Sequence, residues 1–277
     1  IPDATVAQMI DGGAVIDKAN AAAADMLQAH PEINVIFGIN NDSSLGALAA
    51  LRAAGNYTSD WGVVSSVDGS DVAVCWDTTR VIIVCRGTEP TSMNDLKADL
   101  KAYKTKFKDV CWLHDGFKDE VEKNLEWVTK LVKKHKAETK NFSICGHSLG
   151  GAMAHVFALY FSHVEKFSLK LFTYGSPRVG GWSFNKIWKT CDIDAHRFRN
   201  NNDVVTGVPF AIMNYRHVGE LHYINHYGNV RKMTYWQRLK DKLRGRWRAL
   251  QKGQPFDGVF DHSIGLYAKK IEKQITD

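Results

Sequence analysis

Two periodicities alternate along the chain. From Phe117 to His135 the apolar residues Val121, Leu125, Val128, Leu131 and Val132 recur at three- and four-residue steps, the spacing of an amphipathic helix. Ala152 to Phe161 and Ile264 to Ile275 also read as helices. Between them lie short apolar runs that read as strands: Asp71 to Trp76, Val81 to Cys85 after the turn Asp77-Thr78-Thr79, Phe142 to Cys145, Lys170 to Tyr174, and His196 to Arg199. Strands alternating with helices predict an α/β chain, with a mostly parallel central sheet and helices on both faces. The apolar runs are a handful of residues long, whereas a membrane-spanning helix needs about 20, so no transmembrane segment is expected.

The first part of the chain has a different texture. Ala19 to Ala54 is alanine-rich: a helix over Asn20 to Ala29, a break at Pro31, an apolar strand over Val35 to Ile39, then Asn40-Asn41-Asp42 capping a second helix up to Ala54-Gly55. The run from Pro31 to Asn56 resembles the periplasmic sugar-binding proteins and LacI-type repressors, and the resemblance implies that Asp42 stands where a sugar contact would be. It covers only about the first 57 residues, and a complete binding protein needs two lobes around a cleft. Residues 1–57 therefore read as a helix-strand-helix remnant, and residues 58–277 as the main domain.

Composition narrows the class without deciding it. Of 277 residues, 44% are hydrophobic and 24% charged, an ordinary globular balance rather than a disordered or fibrous one. The 36 basic and 30 acidic residues leave a net charge of +6, too little by itself to suggest nucleic acid. Five cysteines, Cys75, Cys85, Cys111, Cys145 and Cys191, are widely spaced, with no zinc-ligand spacing, and read as free buried thiols. No basic-then-apolar leader follows Ile1, so a signal peptide is expected to have been removed or never to have existed.

The chemistry concentrates at Gly146-His147-Ser148-Leu149-Gly150-Gly151, between a predicted strand and a predicted helix. A serine there occupies a sharp turn that holds its hydroxyl out at the top of the sheet, with glycines where side chains would clash. Ser148 is the candidate nucleophile. A serine hydroxyl needs a base, and the base an orienting carboxylate, in the chain order Ser, acid, His. Asp203, in the turn-forming run Asn200-Asn201-Asn202-Asp203, is better placed than Asp192 or Asp194, which precede the strand. Of the histidines after it (His217, His222, His226 and His262), position favours His262, just before the last helix.

Six ordered blocks resemble the class 3, or fungal-type, lipases, a family that also contains feruloyl esterases. They are Ile82 to Thr88, Gly146 to Gly151, Thr173 to Gly180, Asn202 to Val205, Tyr215 to Glu220, and Asp261-His262, spread over residues ~70 to 275. The resemblance implies the α/β-hydrolase fold, Ser148 as nucleophile, Asp203 as acid, His262 as base, and an oxyanion hole from Thr88 and the backbone N–H of Leu149. It sets His217 aside in a strand block of its own, over Tyr215 to Glu220. Two departures stand out. Thr206 occupies a place that is often proline, although Pro209 is retained. The segment Glu89 to Leu96, where such lipases carry a lid, is polar, with Met93 and Leu96 its only sizeable apolar residues.

From Trp236 to Lys252, Trp236, Leu239, Leu243, Trp247 and Leu250 recur at helical steps among Arg238, Lys240, Lys242, Arg244, Arg246, Arg248 and Lys252. Such a helix reads first as one that packs its apolar side into the core with a solvated basic face, and contact with an anionic lipid interface through residues 236–252 is the alternative. The expected activity is a serine carboxylic-ester hydrolase on acylglycerols, with no metal or cofactor and no nucleic-acid partner. Esterase action on soluble, including feruloyl-type, esters and phospholipid hydrolysis are its variants. A sugar-binding protein without turnover is the reading from another class. The resembled family is usually secreted, while the cysteines leave a cytoplasmic location open.

Overall fold

A computed structural model describes residues 16–30, 50, 62–65, 72–87, 103–136, 141–251, 258 and 261–276. The chain divides into two compact units, Ile1–Gly62 and Val63–Asp277. In the first unit, helix α1 (Ile16–Ala29) includes the predicted alanine-rich helix and buries Ala19, Ala23, Met26 and Leu27. The strand expected at Val35 to Ile39, Asp42 and most of the second helix lie outside the described residues.

The second unit is built on an eight-stranded sheet. Its strands are β1 (Gly62–Ser65), β2 (Val72–Trp76), β3 (Arg80–Cys85), β6 (Asn141–His147), β7 (Leu169–Tyr174), β8 (Ile193–Asn200), β9 (Glu220–Ile224) and β10 (Val230–Arg231), side by side in that order. β3, β6, β7, β8 and β9 run parallel, and the antiparallel pairs β2–β3 and β9–β10 flank them. A separate hairpin, β4 (Lys104–Phe107) with β5 (Cys111–His114), turns through Lys108 and Asp109, both at positive φ.

Burial alternates along the parallel strands and separates two faces. Val81, Ile83 and Cys85 of β3, Phe142 and Ile144 of β6, and Leu169, Leu171 and Thr173 of β7 are buried on one face. Against this face lie α2 (Asp115–Lys136) and α3 (Leu149–Leu159). α2 buries Phe117, Val121, Leu125, Val128 and Val132 as its spacing predicts, and closes on Lys133, Lys134, His135 and Lys136, where cations favour the negative end of the helix dipole. α3 is buried along nearly its whole length, as a helix sandwiched between sheet and helix must be. The other face, with Phe172 and Tyr174 of β7 and His196 and Phe198 of β8, is half-buried and lined by stacked rings. There Tyr267 of the C-terminal helix, Ile264–Thr276, meets Tyr174 and His147.

Two expectations are corrected. Tyr215 to Glu220 is not a strand: it makes a single bridge, Arg216 to Gly180, and Gly219 at φ +81° breaks the extended run, so β9 begins only at Glu220. The core-packing reading of Trp236 to Lys252 also fails. That helix runs Tyr235–Gln251, with Asp241 and Gly245 turned inward and its tryptophans turned out.

Candidate active site

Glycines make the turn at Ser148 possible. Ser148 lies between β6 and α3 at φ 56°, ψ −126°, a left-handed φ that an L-residue rarely adopts. A Cβ on Gly146 would sit 2.2 Å from the carbonyl oxygen of Gly150, and one on Gly150 would sit 2.2 Å from that of Cys85. Strand, turn and helix therefore approach more closely than any side chain allows. The turn is pinned by the Ser148 N–H donating to the Tyr174 carbonyl at 3.0 Å.

Around this turn the structure brings three of the predicted side chains into one hydrogen-bonded chain. Ser148 Oγ is 2.7 Å from His262 Nε2, and His262 Nδ1 is 3.0 Å from both carboxylate oxygens of Asp203. A carboxylate only accepts, so Nδ1 carries the proton and Nε2 presents its lone pair to the serine hydroxyl. All three residues are buried. Asp203 also accepts from the Val205 N–H at 2.9 Å and from the Tyr267 hydroxyl at 2.6 Å. Those donors satisfy a carboxylate that burial would otherwise penalise.

The supporting residues were not singled out in the sequence. Tyr267 accepts the Asn200 N–H at 2.7 Å while donating to Asp203, tying the end of β8 to the acid. Asp261 takes the Asn202 N–H at 3.0 Å and the Asn200 side-chain amide at 3.1 Å, and so clamps the acid loop beside the histidine. The block Asp261-His262 contains that clamp, but nothing local marks the aspartate as structural. His147 Nε2–H donates to the His262 carbonyl at 2.7 Å, with the two rings 4.6 Å apart. Burial first, and the neighbouring His262 second, pull the His147 pKa down to about 4, so this ring is a neutral support.

The remaining predicted residues fall elsewhere. Leu149 is the first residue of α3, where a backbone N–H has no partner within the helix. Thr88 and the polar segment Glu89 to Leu96 lie outside the described residues. Gly87, just before Thr88, approaches the nucleophile turn so closely that a Cβ there would be 2.6 Å from the His147 carbonyl oxygen. Thr206, at the often-proline position, is buried and donates its hydroxyl to the Asp203 carbonyl at 2.9 Å. Of the other histidines, His217 contacts the Thr206 carbonyl oxygen, His222 faces His196, and His226 faces Asp241. Cys75, Cys111, Cys145 and Cys191 are free thiols. Among the described residues, one group has the make-up to hold a metal ion: His196, Glu220 and His222, on β8 and β9, with ligand atoms within 4.8 Å of one another. None of the three belongs to the Ser148 chain of hydrogen bonds.

The class 3 lipase model matches residues 82–213, and the model of periplasmic binding proteins and the sugar-binding domain of the LacI family matches residues 4–74. A secreted mono- and diacylglycerol lipase of Fusarium solani is 33% identical over 42% of the chain and 35% of its own length. A lipase of Rhizomucor miehei is 32% identical over 52% of the chain and 41% of its own length. The matches thus span well under half of each of these relatives. The solved Rhizomucor miehei triacylglyceride lipase superposes with a TM-score of 0.51 at 26% identity, covering 61% of this chain and 68% of that one. The large unit has the α/β-hydrolase fold, and its resemblance is to the class 3 lipases. Among the described residues, no helix is long and apolar enough to cross a membrane.

Proposed function

We propose that the protein is a serine carboxylic-ester hydrolase acting on acylglycerols through an acyl-enzyme on Ser148. The observation that carries this reading is the continuous hydrogen-bonded chain from Ser148 Oγ through His262 to Asp203. The lipase relatives and the serine's strained turn support it. Ser148 Oγ attacks the ester carbonyl carbon as its proton passes to His262 Nε2, and Asp203 stabilises the imidazolium that forms. The negative carbonyl oxygen of the tetrahedral intermediate faces the Leu149 N–H, with Thr88 as the second donor. Collapse breaks the bond to the alcohol oxygen, which takes the proton from His262. Water then enters and attacks the acyl carbon as its proton passes to His262 Nε2, and collapse breaks the bond to Ser148 Oγ, which takes that proton back as the acid leaves. Every proton and electron pair in this cycle comes from the three side chains, the ester and water.

The polar composition of Glu89 to Leu96 favours, as a second reading, dissolved esters over emulsified ones. Secretion is supported by the Fusarium solani relative, which is named as secreted. Residues 1–57 are proposed as a segment distinct from the hydrolase, supported by the sugar-binding match over 4–74 and by the compact unit ending at Gly62.

Initial rates on glycerol esters of increasing chain length, below and above each solubility limit, test the assignment against a Ser148→Ala blank. We expect the blank to lose at least about 10⁴-fold in rate with an unchanged unfolding temperature. A rate that rises when emulsion appears identifies a lipase, and saturation on dissolved short esters identifies an esterase. Turnover that survives in Ser148→Ala sinks the reading.

A further inference from the structure

The helix Tyr235–Gln251, α5 in chain order after α4 (Trp182–Trp188), is mounted inside out. Trp236, Leu239, Leu243 and Trp247 lie on one helical face and are 69%, 37%, 58% and 66% exposed, with Tyr235 beside them at 66%. The face turned to the protein carries an aspartate and a glycine. Asp241 is buried and accepts from the Tyr223 hydroxyl at 3.0 Å, the His226 N–H at 3.1 Å and the His226 ring Nδ1. Gly245 lies so close to the acid loop that a Cβ there would sit 2.3 Å from the Asn201 side-chain nitrogen. Polar anchoring thus fixes the rotation of α5 with its apolar stripe outward, and this stripe is larger than the scattered apolar residues of an ordinary soluble surface.

The charge around the stripe indicates what it meets. α5 carries Arg238, Lys240, Lys242, Arg244, Arg246 and Arg248 against one acid, and that acid, Asp241, is the buried anchor. Lys240 and Arg244 border the stripe on one side and Arg246 on the other; all three are exposed. Arg248 lies 5.0 Å from the ring centre of Tyr227, which is itself exposed, and extends the patch. Tryptophans flanked by long basic side chains match a lipid interface: the rings settle at the boundary between headgroups and acyl chains, and the guanidinium groups reach the headgroup phosphates. The Gly245 contact with Asn201 also sets α5 against the loop that carries Asp203, two residues on.

We propose that α5 docks the protein on an anionic lipid surface, with Trp236, Leu239, Leu243 and Trp247 among the acyl chains and Lys240, Arg244 and Arg246 on the headgroups. The docking deepens the hydrolase reading, because it would hold the acid-loop side of the molecule at the surface where acylglycerol esters collect. Binding itself does not depend on turnover.

The test is sedimentation of the full chain with vesicles, in the Ser148→Ala background so that no lipid is consumed. Vesicles of phosphatidylcholine are compared with vesicles carrying about 30 mol% phosphatidylglycerol. We expect binding at least about tenfold stronger to the anionic vesicles, weakening at high salt. The double substitution Trp236→Ser with Trp247→Ser is expected to lose at least about tenfold in that binding, while the same pair in the active chain keeps its rate on a dissolved short-chain ester. Equal binding to both vesicle types, no binding to either, or full binding by the double variant overturns the proposal. So does a wild-type chain that buries this face in a dimer, read by sedimentation equilibrium. Because ester turnover is read separately in solution, failure of the docking is distinguishable from failure of the hydrolase reading.

Discussion

Ser148 holds a left-handed φ of 56° that costs energy of its own, and the hydrogen bonds of its own N–H to Tyr174 and of its carbonyl to the Gly151 and Ala152 N–H groups hold it there. The same economy runs through the acid. Asp203 is almost wholly buried, and its charge is matched by the His262 ring, the Val205 N–H and the Tyr267 hydroxyl. Tyr267 does two jobs with one oxygen, donating to Asp203 and accepting from Asn200. Tyr267→Phe keeps the ring and removes both bonds, leaving a buried backbone N–H without its acceptor. We expect a loss of about 1–3 kcal/mol in unfolding free energy by chemical denaturation. The rate on a dissolved ester should fall far less than in Ser148→Ala, since the nucleophile and base are untouched. An unaltered denaturation midpoint would show that the Tyr267 hydroxyl is dispensable.

At the scale of elements, close approach of backbones decides which glycines are essential. β3, the nucleophile turn and α3 meet at Gly150, where an added Cβ would run into the carbonyl oxygens of Cys85 and Arg86 at 2.2 and 2.4 Å. Backbone atoms of a central strand cannot step aside without breaking the parallel ladder between β3 and β6. Gly150→Ala is therefore expected to destabilise by more than about 3 kcal/mol, or to leave the chain insoluble. Gly207→Ala, where an added Cβ meets nothing within 4 Å, should stay within about 0.5 kcal/mol of the parent. Parallel thermal melts of the two variants check the contrast, and similar melting temperatures would contradict it. The blocks around Arg86-Gly87-Thr88 and Gly146 to Gly151 were legible in the sequence because this contact admits so few residue types. The β4–β5 hairpin was not, since no glycine marks a turn between Lys104-Thr105-Lys106-Phe107 and Cys111-Trp112-Leu113-His114: Lys108 and Asp109 supply the positive φ angles instead. The strand that the family resemblance implied over Tyr215 to Glu220 also fails at this scale, because a matched block marks extended chain but not where the ladder begins.

Across the whole molecule, burial of neutral histidines makes stability depend on pH. His114, His147 and His155 are each pulled from 6.5 to about 4, in every case chiefly by burial. Below about pH 6.5 the unfolded chain takes up protons that the folded chain refuses until about pH 4. Stability therefore falls as pH falls through that window, at up to about 1.4 kcal/mol per pH unit for each histidine. Urea midpoints measured between about pH 7 and pH 4.5 should decline steadily, and a flat profile would refute this account. What the sequence by itself determined is whatever rests on local pattern and chain order: the alternation of strands and helices, the glycine-framed serine, and an acid followed by a histidine near the end. What only the tertiary structure decided is whatever rests on facing. Periodicity locates an apolar stripe but not the direction in which it points. Thus α5 read better as a core helix, and only the structure showed Asp241 and Gly245 turning its tryptophans to solvent; the clamp of Asp261 and Tyr267 on the acid loop likewise emerged only when residues some 60 positions apart were brought within a hydrogen bond.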